Sequence, residues 1–129
     1  MKRRALMAGP VLLLLASSCA GGRNSLNTTA SSCFRAISVA ENAVHHSGRL
    51  VGVRHLRADA LVREAPEAAD LGRRTACAVA YRGDFSATSV TGASGNRTGP
   101  FAVVLVEGGD HLLGTYVVAR LPVKFNLHH

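Results

Sequence analysis

The spacing of apolar residues changes along the chain from helical to strand-like. From Ser32 to His46 they recur three or four positions apart, which predicts a helix with one apolar stripe. Ser31 or Ser32 is available to cap its N-terminus, and Gly48 follows as a stop signal. We therefore expect a helix that buries one face, and the residues of that face are Cys33, Ile37, Ala40 and Val44.

Two stretches after this helix have the composition of strands. Arg49 to His55 is short and rich in Val and Leu, and Thr75 to Phe85 alternates between two sets of residues. Between them, Ala58 to Leu71 has the alanines and acids of a helix but contains Pro66, so we expect a short helical turn or an irregular crossover. The set of the second strand that is expected to face the helix is Cys77, Val79 and Tyr81.

The last part of the chain predicts a hairpin. Phe101 to Glu107 and His111 to Phe125 have strand-like patterns and are joined by the turn sequence EGGDH. On the second of these strands the apolar residues alternate with Arg120 and Lys124, which is typical of a half-exposed strand. Its expected apolar face consists of Val117, Ala119, Leu121, Val123 and Phe125.

A long polar stretch, Ser86 to Gly99, separates the second predicted strand from this hairpin. Loops of this length are uncommon in compact domains, and they are often binding segments or mobile tips. Both interpretations stay open here. Arg97 is the residue of this loop that we single out as a possible contact to an anionic partner.

Together these elements predict an α+β fold, in which one N-terminal helix packs on a roughly four-stranded antiparallel sheet. The expected domain covers residues 33–127 and has the length of one hydrophobic core. The order of elements loosely resembles cystatin-like and NTF2-like domains. Architecture of this kind does not by itself supply a function.

The N-terminal residues have the pattern of an export signal. Lys2, Arg3 and Arg4 precede an uncharged apolar run from Ala5 to Ala16. A helix of that length spans about 18 Å, which is short of the ~30 Å hydrocarbon core of a membrane. A basic start, a short apolar run and small residues after it describe a secretory signal.

The residues before Cys19 resemble the lipobox of bacterial lipoproteins, in which small and apolar residues precede an obligatory cysteine. The sequence here is Leu15-Ala16-Ser17-Ser18-Cys19, with Ala16 where leucine is usual. The resemblance implies a signal peptide over residues 1–18, a lipidated Cys19 and a membrane anchor. Residues 20–32 are mostly small and polar, and with Cys19 they are expected to form a flexible tether. Cleavage after Ala20, which releases a soluble secreted protein, is the alternative.

The cysteine count agrees with the lipoprotein resemblance. The chain has three cysteines, and lipidation of Cys19 leaves Cys33 and Cys77 as an even pair. A disulfide between these two would persist in the oxidising compartment to which a lipoprotein is exported. Two buried free thiols are the alternative. A disulfide would join the expected helix to the strand from Thr75 to Phe85.

Charge and composition exclude one class of partner. Of the 15 Lys and Arg residues, three precede Cys19, which leaves 12 against 8 Asp and Glu. The basic residues are dispersed, Trp is absent and aromatic residues are 5% of the chain, so a nucleic-acid surface is not expected. The predominance of Arg, Ala, Val and Gly resembles an actinobacterial composition.

The candidates for chemistry do not form a known motif. Nothing among the histidines has the spacing of a zinc site, so no metal or other cofactor is expected. Asp84 and Glu107 are considered as a carboxylate pair, but acids at strand ends are usually solvated, and Gly108-Gly109 is expected to be a turn. The histidines considered are His45, His46, His55, His111, His128 and His129.

We therefore expect a non-enzymatic binding or accessory module for an envelope protein, anchored on the extracytoplasmic face of the cell membrane. Two alternatives stay open. One is a carrier that holds a small apolar ligand between helix and sheet, and the other is a small envelope hydrolase without a familiar motif. The oligomeric state does not follow from the sequence.

Overall fold

The computed structural model describes residues 28–125, in which one helix packs against a four-stranded antiparallel sheet. The strands follow one another in the sheet in chain order. This confirms the predicted α+β arrangement, whereas the analogy to cystatin-like and NTF2-like domains is not confirmed. The predicted signal peptide and Cys19 lie outside the described residues, as do His128 and His129. The elements are α1 (Thr28–Ala43), β1 (Arg49–Arg57), β2 (Thr75–Ser86), β3 (Thr98–Glu107) and β4 (His111–Val118).

Helix α1 covers one face of the sheet with the stripe that the periodicity predicts. It begins at Thr28, before the expected start at Ser32, and therefore includes residues that the composition assigned to the tether. Ala36, Ala40 and Ala43 are almost completely buried, and these small side chains bring the helix backbone close to the strands. The residues of β2 that meet it are Cys77, Val79 and Tyr81, as expected.

The opposite face of the sheet is also covered, which the sequence did not predict. The crossover segment, residues 58–74, contains two 3-10 helices, Ala58–Leu61 and Pro66–Leu71. Leu61 is fully buried, and it belongs to a second core cluster with Ala78 and Ala80 of β2. The small side chains of β2 let the crossover segment lie close to the sheet. Two core layers therefore enclose β2 and β3, and the inner strands are buried on both faces.

The expectation of a long half-exposed last strand is wrong. Strand β4 ends at Val118, and residues 119–125 turn under the sheet towards β1. Phe125 lies against Gly52 of β1 and is buried in the second core cluster, whereas Val123 is 57% exposed. Pro122 has no amide to donate to a strand ladder, so the strand pattern does not continue through it.

Candidate functional site

The two edges of the sheet differ in how their backbone groups are satisfied. The edge loop, residues 87–97, runs beside β4, where the Thr115 amide donates to the Gly92 carbonyl at 3.1 Å. The Thr115 hydroxyl donates to the Thr91 carbonyl at 2.6 Å, and the Thr91 amide donates to the Ala43 carbonyl of α1 at 2.8 Å. The edge loop therefore covers β4 and links it to the end of the helix.

Arg97 joins the edge loop to two other segments. Its guanidinium donates to the Glu64 carbonyl of the crossover segment at 3.0 Å and to the Val117 carbonyl of β4 at 3.5 Å. It also lies 3.6 Å from the Glu67 carboxylate. These contacts give Arg97 a structural role, because they link the edge loop to the crossover segment and to β4. Its predicted contact with an anionic partner stays a prediction.

The other edge, β1, has no such cover among residues 28–125. Its backbone hydrogen-bonds to β2, and the described residues provide no backbone bond to its outer side. Leu50 and Val51 are each 41% exposed, and the register shift between Leu50 and Gly52 leaves Val51 out of the ladder. Strand edges with unpaired backbone groups are templates for pairing with another chain. We name residues 49–57 the open edge.

The charges along the open edge are all positive. Arg49, Arg54 and Arg57 lie in the strand, which contains no acidic residue. Arg57 donates from Nε to Asp59 at 3.1 Å, just beyond the strand. That hydrogen bond is the main reason why the pKa of Asp59 lies below its usual value. The open edge is therefore apolar around Leu50 and Val51 and basic on both sides of them.

The predicted disulfide is present and joins the elements it was expected to join. Cys33 of α1 and Cys77 of β2 are bonded, with their Cα atoms 5.5 Å apart. In the sheet, Cys77 is paired with His55 of β1 on one side and with Val106 of β3 on the other. The bond therefore holds the first half of the helix over the end of the sheet where β2 begins.

A cleft of about 500 Å³ opens beside this disulfide. We name it the basic cleft, because its charged or titratable lining residues are Arg35 and His55. Among the residues that the structure describes, none with a carboxylate lines it. Ala76, Cys77 and Val106, which are buried, contribute apolar surface. The other lining residues are Thr75, Gly108 and Gly109, the last two from the turn between β3 and β4.

The histidines that the sequence singled out do not come together. His45 and His46 follow the end of α1 with positive φ angles of 56° and 57°. The His46 ring lies 3.5 Å from the Glu41 carboxylate, and the His45 ring lies 3.4 Å from the Thr91 hydroxyl. His55 lines the basic cleft at the other end of the sheet. Within residues 28–125, no cluster of three or more metal-binding side chains occurs.

Tyr81 of β2 carries a buried phenol in the core cluster on the helix side of the sheet. Its hydroxyl is buried and has no hydrogen-bond partner in the described part of the chain. Burial raises the pKa of the phenol, and the Glu41 carboxylate raises it further. The group therefore stays protonated at neutral pH. It is an uncompensated polar group in the core rather than a general base.

The two carboxylates considered as a pair lie at opposite ends of the sheet. Asp84 is in the last part of β2, beyond Arg82, which is paired with Phe101 near the start of β3. Glu107 ends β3 and lies 3.4 Å from Arg74. Gly108 and Gly109 form the expected turn, with positive φ angles of 66° and 87°. These residues provide no joint acid–base site.

Comparisons with protein-family models, curated proteins and solved structures find no match to this chain. None of the helices in residues 28–125 is long and apolar enough to cross a membrane. The open edge and the basic cleft are therefore the two candidate functional sites of the described residues. Sequence reasoning missed both. The signal for the first is the combination of apolar residues flanked by arginines in the sequence RLVGVRHLR.

Proposed function

We propose that this protein is a non-enzymatic binding module, anchored by a lipid on Cys19 at the extracytoplasmic face of the cell membrane. It captures an extended segment of an envelope protein along the open edge. The observation that carries this proposal is the contrast between the two edges of the sheet. The edge loop lies along β4, whereas β1 offers exposed apolar side chains and an outer side to which the described residues make no backbone hydrogen bond.

Strand addition is the binding mode that suits this edge. Nine residues of β1 extend over about 30 Å, which is enough for a partner strand of ordinary length. In this mode the backbone hydrogen bonds supply affinity, and alternate side chains supply specificity. Leu50 and Val51 offer apolar contacts at one end of the open edge, where they are each 41% exposed.

The charges select an acidic partner segment over a second copy of this chain. If two β1 strands paired antiparallel about Val53, Arg49 of each would lie opposite Arg57 of the other. Like charges directly opposite each other destabilise a strand pair. An extended segment with Asp or Glu beside Arg49 instead gains a favourable cross-strand pair.

The anchored location is supported by the cysteines. The chain has three, and the bond between Cys33 and Cys77 leaves Cys19 as the remaining one. A structural disulfide is typical of exported proteins. Lipidation gives Cys19 a chemical role that matches its place after an apolar run and small residues. Dual acylation at such a site makes membrane attachment stable.

The carrier alternative has less support from the geometry. A carrier needs a cavity between helix and sheet, and that interface holds Ala36, Ala40 and Ala43 with at most 3% exposure. The small alanines bring the backbones together and fill the space where a ligand would lie. The hydrolase alternative needs convergent polar groups, and its candidate carboxylates lie at opposite ends of the sheet.

Site-specific photocrosslinking in native membranes tests the docking surface. A photoreactive residue is placed at Val51 on the open edge and, as a matched control, at Thr88, an exposed position of the edge loop. We expect one defined adduct from position 51, joined to an acidic extended segment, and none from position 88. Equal adducts from both positions, or none from position 51, contradict the proposal.

A peptide copying the crosslinked segment then separates strand addition from chance proximity. Amide hydrogen exchange of β1 is expected to slow when the peptide binds, because outward-facing amides acquire partners. The substitution Arg49→Glu is expected to weaken binding of the peptide. Arg63→Glu, on the crossover segment, is expected to leave this binding unchanged. Slowing confined to other strands, or equal weakening by both variants, contradicts strand addition.

Intact mass of the protein from its producing membranes tests the anchor separately. We expect a chain that begins at Cys19 and carries a diacylglyceryl group, with two hydrogens gained on reduction of the disulfide. A chain that begins at Gly21 and carries no lipid would show a secreted protein instead. That result removes the anchor and leaves the open edge to be judged by crosslinking.

A further inference from the structure

The basic cleft lies at one end of the open edge, which contributes only His55 to its lining. It lies where β2 begins, and Arg35 and His55 reach it from two different elements, α1 and β1. Thr75 adds a hydroxyl, and the buried Ala76, Cys77 and Val106 add apolar surface. A site with basic groups, a hydroxyl and no lining carboxylate suits a small anion.

The disulfide determines the spacing of the two basic residues. Cys77 is paired with His55 in the sheet and is bonded to Cys33, two positions before Arg35 in the helix. The Arg35 side chain also packs against Gly109. A methyl group on that glycine would lie 3.5–3.6 Å from the Cβ, Nε and Cζ atoms of Arg35. Arg35 is therefore held on the β3–β4 side of β2, and His55 on the β1 side.

Two neighbouring carboxylates are already engaged with other arginines. Glu107 lies 3.4 Å from Arg74, and Asp59 accepts from Arg57. Asp110 belongs to the turn beside the cleft but is not among the lining residues. Glu107 and Asp59 form their ion pairs with Arg74 and Arg57 and not with Arg35. The planar guanidinium of Arg35 suits the oxygens of a tetrahedral anion.

The geometry points to a binding site for a phosphate group in the basic cleft, with Arg35 and His55 as its main contacts. The Arg35 guanidinium supplies paired donors to the phosphate oxygens, while the His55 ring and the Thr75 hydroxyl supply single donors. Gly108 of the turn is exposed and leaves its backbone open to the ligand on the remaining side, whereas Gly109 is buried against Arg35. This site shares only His55 with the open edge, and it does not depend on the proposed partner protein.

Titration with inorganic phosphate, followed by NMR of the isotopically labelled full chain in zwitterionic detergent, tests the site. We expect saturable shifts confined to the Arg35 Nε–H, the His55 ring and the amides of Thr75, Gly108 and Gly109. Arg35→Gln is expected to weaken phosphate binding about tenfold, because it removes a charge-assisted pair of hydrogen bonds.

Arg63→Gln is the matched control variant. Arg63 is an exposed arginine that lines another cleft, of about 360 Å³, together with Arg120 and the carboxylate of Glu64. The Arg63→Gln variant is expected to leave phosphate binding unchanged. Shifts spread over the exposed arginines, equal weakening by the two variants, or no saturable shift in the millimolar range would overturn the proposal.

Vesicles distinguish the two sources of a phosphate group. Binding of the wild type and of Arg35→Gln is compared on phosphatidylcholine vesicles with and without phosphatidylglycerol. If the variant loses affinity only for the anionic vesicles, the site holds a lipid headgroup. If vesicle binding is equal while the phosphate titration remains sensitive to Arg35, the ligand is a free phosphate compound.

Discussion

Removal of the disulfide is expected to have the largest effect of any change considered for this domain. The change is the replacement of both Cys33 and Cys77 by Ala, since the two positions are 1% and 5% exposed and a polar replacement would be buried. The bond joins residues 44 positions apart. In the chain-entropy model, a loop of this length contributes about 4 kcal/mol to the free energy of unfolding.

That magnitude is a large part of the stability of a small domain, which is typically about 5–15 kcal/mol. It corresponds to a fall in Tm of about 15–30 °C for a domain of this size. The loss of stability should appear first in α1, because the bond ties the first half of that helix to β2. Much of the remaining contact between the helix and the sheet is made by alanines. Small side chains bury little apolar area, so they compensate poorly for the lost bond.

Urea unfolding followed by circular dichroism measures the difference. The double variant and the reduced wild type are expected to unfold at similarly lowered urea concentrations. Cys19→Ala, which leaves the bond intact, serves as control and is expected to match the wild type. A double variant within about 1 kcal/mol of the wild type, with an unchanged dependence on urea, would refute the reasoning.

Three further predictions concern the core and the edge loop. Tyr81→Phe removes a buried hydroxyl without a partner, so stability at neutral pH should be unchanged or higher. Because the folded state raises the pKa of Tyr81, its contribution to stability is present below about pH 10 and lost as the pH rises above it. Urea midpoints of the variant should therefore fall less than those of the wild type between about pH 8 and about pH 11, and an identical fall contradicts this. Arg97→Ala is expected to cost about 1 kcal/mol and to speed amide exchange at Thr115, as the edge loop loses its bonds to Glu64 and Val117; unchanged exchange there contradicts it. Leu61→Ala should cost about 2–4 kcal/mol in urea unfolding, because that side chain is fully buried, whereas Val62→Ala, at a half-buried site, should cost less.

Much of the fold could be predicted because its periodic segments are long and their core faces are regular. The alternation of Cys77, Val79 and Tyr81 identified the face of β2 that meets the helix, and the structure confirms it. Residues Cys33, Ala40 and Val44 likewise lie in the core on the helix side. Because successive side chains of a strand point to opposite faces, the local pattern is enough to predict which residues share the face that meets the helix.

The last strand shows where local pattern fails. Alternation continues through Pro122 to Phe125, yet β4 ends at Val118 because the chain turns under the sheet. Phe125 is buried against Gly52 of β1, a residue far away in the sequence. Alternating residues in a segment that leaves the sheet look the same in sequence as those of a strand, so only the tertiary contacts distinguish them.

The sequence by itself determined the class of the fold, the order of its elements, the face of β2 that meets the helix and the two cysteines that form the disulfide. The fold class, the order of the elements and the face of β2 follow from the spacing of apolar residues along the chain. The cysteine pair follows from the number of cysteines. Only the tertiary structure decided that both faces of the sheet are buried, that Arg97 holds the edge loop over β4, and that β1 is left open. It also brought Arg35 and His55 to one cleft. These features depend on which distant segments pack side by side, and no local pattern encodes that choice.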